Sequence, residues 1–284
     1  MDIAVNRAEL NQVELIIYNV GHGLAISIIE YPTKYVTQID LGSDEGYSPL
    51  EYLNRTRGLR SDILYVTHPH SDHLSDVSNS LEKRYCPDLL HYQEYDWDEV
   101  IRGQPDEAKE IIKSFIKLGT QIRRGDYHGG GSVKVWRWTP KSAKETFGES
   151  SFINNSSLLI VYKWRDFKIS ICGDLETKAV EKMIQFQDAQ NDINNTDILV
   201  APHHGHKEGY TPKWVEYIGK PYVSLISVQS RDQSVADGYS SSDFAQGVRF
   251  NGETRYALST RKDGTIVVNM YYEDGKPRWT FKSE

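Results

Sequence analysis

The sequence predicts an α+β chain, on three observations. Short apolar runs rich in Val, Ile and Tyr recur over 13–20, 24–29, 35–39, 63–66, 158–162, 168–172, 197–201 and 222–227. Their length and β-branched content mark buried strands. Between them lies at least one long helical pattern, with Ile111, Ile112, Phe115, Ile116 and Leu118 on one face after Pro105. Two of the runs end directly in a cluster of histidines, His68-Pro69-His70-Ser71-Asp72-His73 and Pro202-His203-His204-Gly205-His206. Loops leaving the carboxyl ends of strands are where α/β sheets place their chemistry.

In chain order, 13–20 is a strand, Gly21-His22-Gly23 a tight turn, and 24–29 its hairpin partner. A third strand, 35–39, ends in Asp40-Leu41-Gly42, where Asp40 reads locally as a turn cap. Residues 46–57 read as helix, with Leu50 and Leu53 on one face, and a helix over about 73–83 follows the first histidine cluster. Residues 91–104 have no period and are read as an insertion or lid, in which His91 is a surface residue. The helix after Pro105 is expected to stop at Gly119. A turn at 126–131 precedes a strand at 133–138; His128 reaches a site only if that turn folds inward. Residues 139–153 and 187–196 read as polar loops around two strands and a helix at 175–186. Thr211-Pro212 opens another helix and Gly219 closes it. A last strand is read at 278–282.

Three imidazoles and a carboxylate within six positions make a poor core, since buried charge is costly unless it is paired or metal-bound. They suit Zn²⁺, Mn²⁺ or Fe, and four ligands at this density suggest two ions. His-x-His-x-Asp-His after a strand resembles the signature of the metallo-β-lactamase superfamily. The Val20-Gly21-His22-Gly23 hairpin, Asn154-Asn155-Ser156-Ser157, Gly173-Asp174-Leu175-Glu176 and Pro202-His203-His204-Gly205 resemble, in the same order, the metallo-hydrolase part of the competence proteins for DNA uptake. The resemblance covers about 13–270. It implies a four-layer αββα sandwich, taken here as one domain over 1–284. It also implies two divalent ions, Zn²⁺ or Mn²⁺. His68, His70, Asp72, His73 and Asp174 would be ligands, with Asp174 between the ions and Asp40 bracing the metal loop. One of His203 and His204 completes the set; His203 is favoured as ligand and His204 as proton donor or substrate contact, and the order is open. Asp72 would also orient the attacking water. Asn154 and Asn155 stand where the superfamily often has a histidine, so one ion should be held less tightly. His22 replaces the family's usual Gln and is read as a rim residue. His206, Lys207, Arg231 and Lys262 are rim or phosphate contacts. The family's later Asn-x-Tyr-Gly-His-Pro segment is absent, with Ser230-Arg231-Asp232 and Asp237-Gly238-Tyr239-Ser240 in that region.

The formal net charge of −7 over 284 residues gives no basic field for nucleic acid. The start lacks a secretory pattern and no apolar run approaches a membrane span, so a cytoplasmic protein without membrane contact is expected. Two cysteines suit a reducing compartment. The expected activity is a metal-dependent hydrolase, a phosphodiesterase or nuclease acting on DNA or RNA. One alternative is hydrolysis of a small ester, such as a phosphocholine-type phosphodiester, a cyclic nucleotide or a lactone, in a cleft lined by Tyr92, Trp97 and Tyr127. The other is an effector subunit that needs a protein partner.

Overall fold

The computed structural model describes residues 10–229 and 234–284. Arg231, read above as a phosphate contact, lies outside them.

The strands run in chain order as β1 (Gln12–Ile17), β2 (Ile26–Tyr31), β3 (Tyr35–Ile39), β4 (Ile63–Tyr65), β5 (Leu89–His91), β6 (Ser132–Trp136), β7 (Leu159–Trp164), β8 (Phe167–Ile171), β9 (Ile198–Val200), β10 (Val223–Ile226), β11 (Val248–Phe250), β12 (Glu253–Arg255), β13 (Ala257–Ser259), β14 (Ile266–Glu273) and β15 (Lys276–Ser283). They form a seven-stranded sheet, β15-β14-β1-β2-β3-β4-β5, a six-stranded sheet, β13-β10-β9-β8-β7-β6, and a two-stranded hairpin of β11 and β12.

One face of each large sheet is buried against the other. Val13, Leu15, Ile17, Ile26 and Ile63 of the first meet Ile160, Tyr162, Ile169, Ile198 and Leu225 of the second in one cluster. The outer faces carry helices. Ile112, Phe115 and Leu118 of the helix Asp106–Gln121 pack on Leu64, Val66 and Leu90, and Leu53 of the helix Pro49–Arg57 packs beside Ile16, Ile29 and Val36. On the other side Ala179, Val180, Met183, Trp214 and Ile218 cover Leu159, Val161 and Leu199. This is the αββα layering, and it explains why these strands lack alternation: both faces are buried. Residues β3-β4-β5 and β8-β9-β10-β13 are parallel, so their carboxyl ends open toward one edge.

Several expectations are corrected. The stretch 91–104 is no free lid: β5 begins at Leu89 and a helix spans Trp97–Ile101, capped by Asp96. The polar stretch 139–153 holds a helix, Pro140–Phe147, started by the Thr139 hydroxyl on the Ser142 amide with Pro140 in the first turn. The stretch 187–196 holds the helix Gln187–Ile193, which buries only Ala189 and Ile193. One apolar contact per turn leaves no legible period in so short a segment. Gly119 does not end its helix, which runs to Gln121. A Cβ there would fall 2.9 Å from the Tyr92 hydroxyl, so the glycine makes room for that ring. The 73–83 helix shrinks to a 3₁₀ turn, Ser71–His73, and a short helix, Val77–Ser80. Among the described residues no helix is long and apolar enough to cross a membrane.

Candidate active site

Five loops meet at the carboxyl edge. They leave β1, β3, β4, β8 and β9, and they carry His22, Asp40, His68 to His73, Asp174, and His203 to Glu208. The backbone sets their approach. A Cβ on Gly23 (φ +137°) would lie 2.2 Å from the Asp72 carbonyl oxygen, and one on Gly42 would lie 2.9 Å from it. The two glycines let the hairpin tip and the end of β3 close on the main chain of Asp72. Asp40, His203 and His204 are held at positive φ (56°, 52° and 53°).

Each buried imidazole is turned by a partner behind it. His73 Nδ1 is 2.8 Å from Asp40 Oδ2, and His204 Nδ1 is 3.1 Å from the Ser227 carbonyl oxygen. The Thr67 hydroxyl donates to Asp40 Oδ2 (2.7 Å) and is therefore free to accept from His68 Nδ1 (3.2 Å). Tautomers assigned from these partners point the Nε2 lone pairs of His68, His73 and His204 at one another's site. His73 Nε2 and His204 Nε2 are 3.3 Å apart, and His68 Nε2 and His70 Nδ1 3.0 Å.

Asp174 sits between the two pairs. Its Oδ1 is 3.2 Å from His73 Nε2 and 3.6 Å from His204 Nε2, and its Oδ2 is 3.7 Å from His68 Nε2. Yet Oδ1 is buried without an aligned hydrogen-bond donor. Asp72 Oδ2 lies 3.4 Å from His204 Nε2 and 3.7 Å from His73 Nε2. Donors 2.0–2.2 Å from one ion lie roughly 3–4 Å from one another, and these spacings match. The residues fit a divalent ion: donors close enough to share one are His68, His70 and Asp174; His73, Asp174 and His204; His22, Asp72 and His204; and His203, His206 and Glu208.

The electrostatics agree. Burial opposes charge at His73 and His204, but Asp174 and Asp72 outweigh it and hold both imidazoles charged above their usual range. Burial would also raise Asp72 and Asp174, yet the neighbouring imidazoles keep both well below the usual carboxylate range. His68, with burial dominant, is driven well below its usual value and stays neutral.

The geometry favours the reverse of the expected order at the second cluster. His204 is the buried residue facing Asp72, His73 and Asp174, whereas His203 lies at the mouth, 4.0 Å from Asp174 Oδ2 and 3.9 Å from Glu208. The sharp turn at two consecutive positive-φ residues decides which ring goes inward. Of the asparagine pair, Asn155 is committed to Glu176, accepting from its amide (3.1 Å) and donating to its carboxylate (2.9 Å). Asn154 is the one that lines the cavity, and its buried Oδ1 has no hydrogen-bond partner.

The cavity is about 240 Å³, lined by His22, His70, Asp72, Asn154, Asp174, His203, His204, His206 and Glu208. Glu208 was missed: a lone glutamate after a histidine cluster carries no signal in the sequence. Among the described residues no lysine or arginine lines this cavity. Lys207 is exposed outside it, and Lys262 lines a separate cleft of about 660 Å³ beside Tyr256 and Arg255. The expected aromatic cleft does not form: Tyr92 and Trp97 pack with Phe115, and Tyr127 bonds to Glu30. His91 pairs with Asp126 (3.1 Å), and His128 is exposed with its amide donating to the Tyr35 hydroxyl.

Two facing sheets between helix layers, with a histidine–aspartate cluster at their common edge, define a metallo-β-lactamase fold. Solved structures similar to this chain include a diphosphatase from the PhnP family (11% identity, covering 97% of this chain and 100% of that chain, TM-score 0.47). They also include the metallo-β-lactamase fold protein YhfI from Bacillus subtilis (10%, 78% and 87%, 0.44) and unliganded yeast PDE1 (11%, 78% and 89%, 0.42). No family model matches the chain, and no curated protein matches it.

Proposed function

We propose that this chain is a metal-dependent hydrolase that cleaves phosphodiesters. One observation carries the reading: Asp174 Oδ1, buried and without an aligned donor, lies between imidazoles whose lone pairs converge on it. When bound, two divalent ions there would supply an ionised water and neutralise charge on an electrophilic phosphorus. The chain's own residues do the rest. His68, His70 and Asp174 would hold one ion, and Asp72, His73, His204 and Asp174 the other. Asp40, Thr67 and the Ser227 carbonyl fix the rings. His203, at the mouth and facing the cavity, is placed to give a proton to the departing oxygen.

Nucleic acid is the substrate proposed first, on the motif order shared with the DNA-uptake hydrolases. The small cavity admits the scissile group alone, and the rest of a polymer would lie across the surface. The small volume of the cavity, about 240 Å³, favours a second reading, a small phosphodiester. Purified protein loaded with Mn²⁺ or Zn²⁺ should turn over bis-p-nitrophenyl phosphate, and labelled single-stranded DNA should be cut if the first reading holds. Asp174→Ala should abolish both activities and lower metal content. Full metal loading without phosphodiester turnover, together with hydrolysis of a carboxylic ester or lactone, would sink the proposal.

A further inference from the structure

We propose that His22 is a metal-binding residue for the ion on the Asp72, His73 and His204 side, making the two ion sites unequal. The inference rests on the two-ion reading above.

His22 Nε2 lies 3.4 Å from Asp72 Oδ2, the same separation as His204 Nε2 from that oxygen. One nitrogen from each histidine and one Asp72 oxygen lie within 4.8 Å of one another. The His22 and His204 rings are 5.1 Å apart at 39°. These are separations of donors that share an ion.

The backbone holds His22 in this place from both sides. Gly21 (φ +65°) and Gly23 (φ +137°) shape the hairpin tip, and the Ser227 hydroxyl donates to the Gly23 carbonyl (2.7 Å). Ser227 also supplies the carbonyl that orients His204. One residue thus ties both rings to the same face. The contact between Gly23 and the Asp72 main chain fixes the third donor. A side chain merely passing over the rim would not need its backbone locked against two ligand loops.

The result is an imbalance. With His22, one side offers two groups that share His204: His22 with Asp72, and His73 with Asp174. The other has His68, His70 and Asp174, with the neutral Asn154 oxygen nearby. More donors, and more of them imidazole or carboxylate, bind more tightly.

The test is metal binding by the full chain, stripped and titrated with Co²⁺ or Mn²⁺, followed by calorimetry and the Co²⁺ visible spectrum. Wild type should bind two ions with separable affinities. His22→Ala should weaken the tighter one by about 10–100-fold, leave the other unchanged and alter the Co²⁺ bands. Free imidazole should restore the bands, because His22 is half exposed and leaves an open gap. His128→Gln, an exposed histidine away from the site, should change nothing. Unchanged affinities and spectrum in His22→Ala overturn the proposal, as does an equal loss at both ions. If Asp174→Ala loses both ions while His22→Ala loses neither, the hydrolase reading stands and His22 falls. If wild type binds no ion, the hydrolase reading itself fails.

Discussion

Asp40 shows how one side chain serves both fold and site. It is fully buried, and it takes hydrogen bonds from the Thr67 amide, the Thr67 hydroxyl and His73. Burial raises its carboxyl, and His73 and Thr67 oppose that rise. Asp40→Ala should lower metal affinity by about 10–100-fold, because His73 loses its orientation. It should also destabilise the fold, since the buried Thr67 amide and hydroxyl and the His73 ring lose their acceptor. Calorimetry and a thermal melt read the two effects. The two adjacent histidines are separable in the same way. His204→Ala should lose an ion by elemental analysis, and His203→Ala should keep both and lose turnover instead. Equal metal loss in the two variants would remove the distinction drawn here. Asp76 provides a titration outside the ligand set. Burial pushes its carboxyl up to about 6, against hydrogen bonds from Ser48, Asn79 and Leu50. A carboxyl raised in the folded state binds its proton more tightly there than in the unfolded chain. Its contribution is therefore complete below the unfolded value and lost as pH rises through about 6. The stability of wild type relative to Asp76→Asn should fall between pH 4 and 7, measured by urea unfolding at each pH.

At the scale of elements, the strands position the chemistry and the glycines set how closely their loops approach. The loop His68 to His73 sits on β4, a three-residue strand, and would be loosely placed by that strand alone. The Leu41 amide on the His73 carbonyl (2.8 Å), the Asp76 amide on the Leu41 carbonyl (2.7 Å) and the Gly23 contact hold it down. Gly23→Ala forces a Cβ against backbone, so it should cost at least about 2–3 kcal/mol and displace Asp72. Gly58→Ala is the contrast: it also has positive φ (66°), but its Cβ would meet nothing within 4 Å. It should cost only about 1–2 kcal/mol and leave metal binding intact. Denaturant unfolding of both variants, with metal titration, checks the pair.

At the scale of the whole molecule, the two sheets are joined by a buried carboxylate. Glu30 of β2 accepts from the Tyr162 hydroxyl of β7 (2.9 Å), from Tyr127, and from the Gly130 and Gly131 amides. The turn Gly129-Gly130-Gly131 is the other half of this joint. A Cβ on Gly129 would fall 2.7 Å from Glu30, and one on Gly131 would fall 2.8 Å from Tyr162. Glu30→Ala strands two hydroxyls and two amides in the interior. It should cost about 3–5 kcal/mol and leave the metal affinity of the remaining folded protein near wild type. A drop in midpoint of less than a few degrees would contradict this.

The sequence by itself determined the buried strands and the histidine and aspartate side chains at their ends, while the layering was implied only by the resemblance. Runs buried on both faces, and histidines placed where those runs end, follow from local composition and from spacing within a few residues. The helices at Pro140–Phe147 and Gln187–Ile193 were illegible, because one or two apolar contacts do not make a period. Only the tertiary structure decided that His204 rather than His203 turns inward, that Asn155 is spent on Glu176, that Glu208 reaches the mouth and that Lys262 does not. Each of these depends on backbone torsions and on contacts between loops distant in sequence. Local sequence sets which donors are available, but convergence across two sheets sets which of them share a point in space.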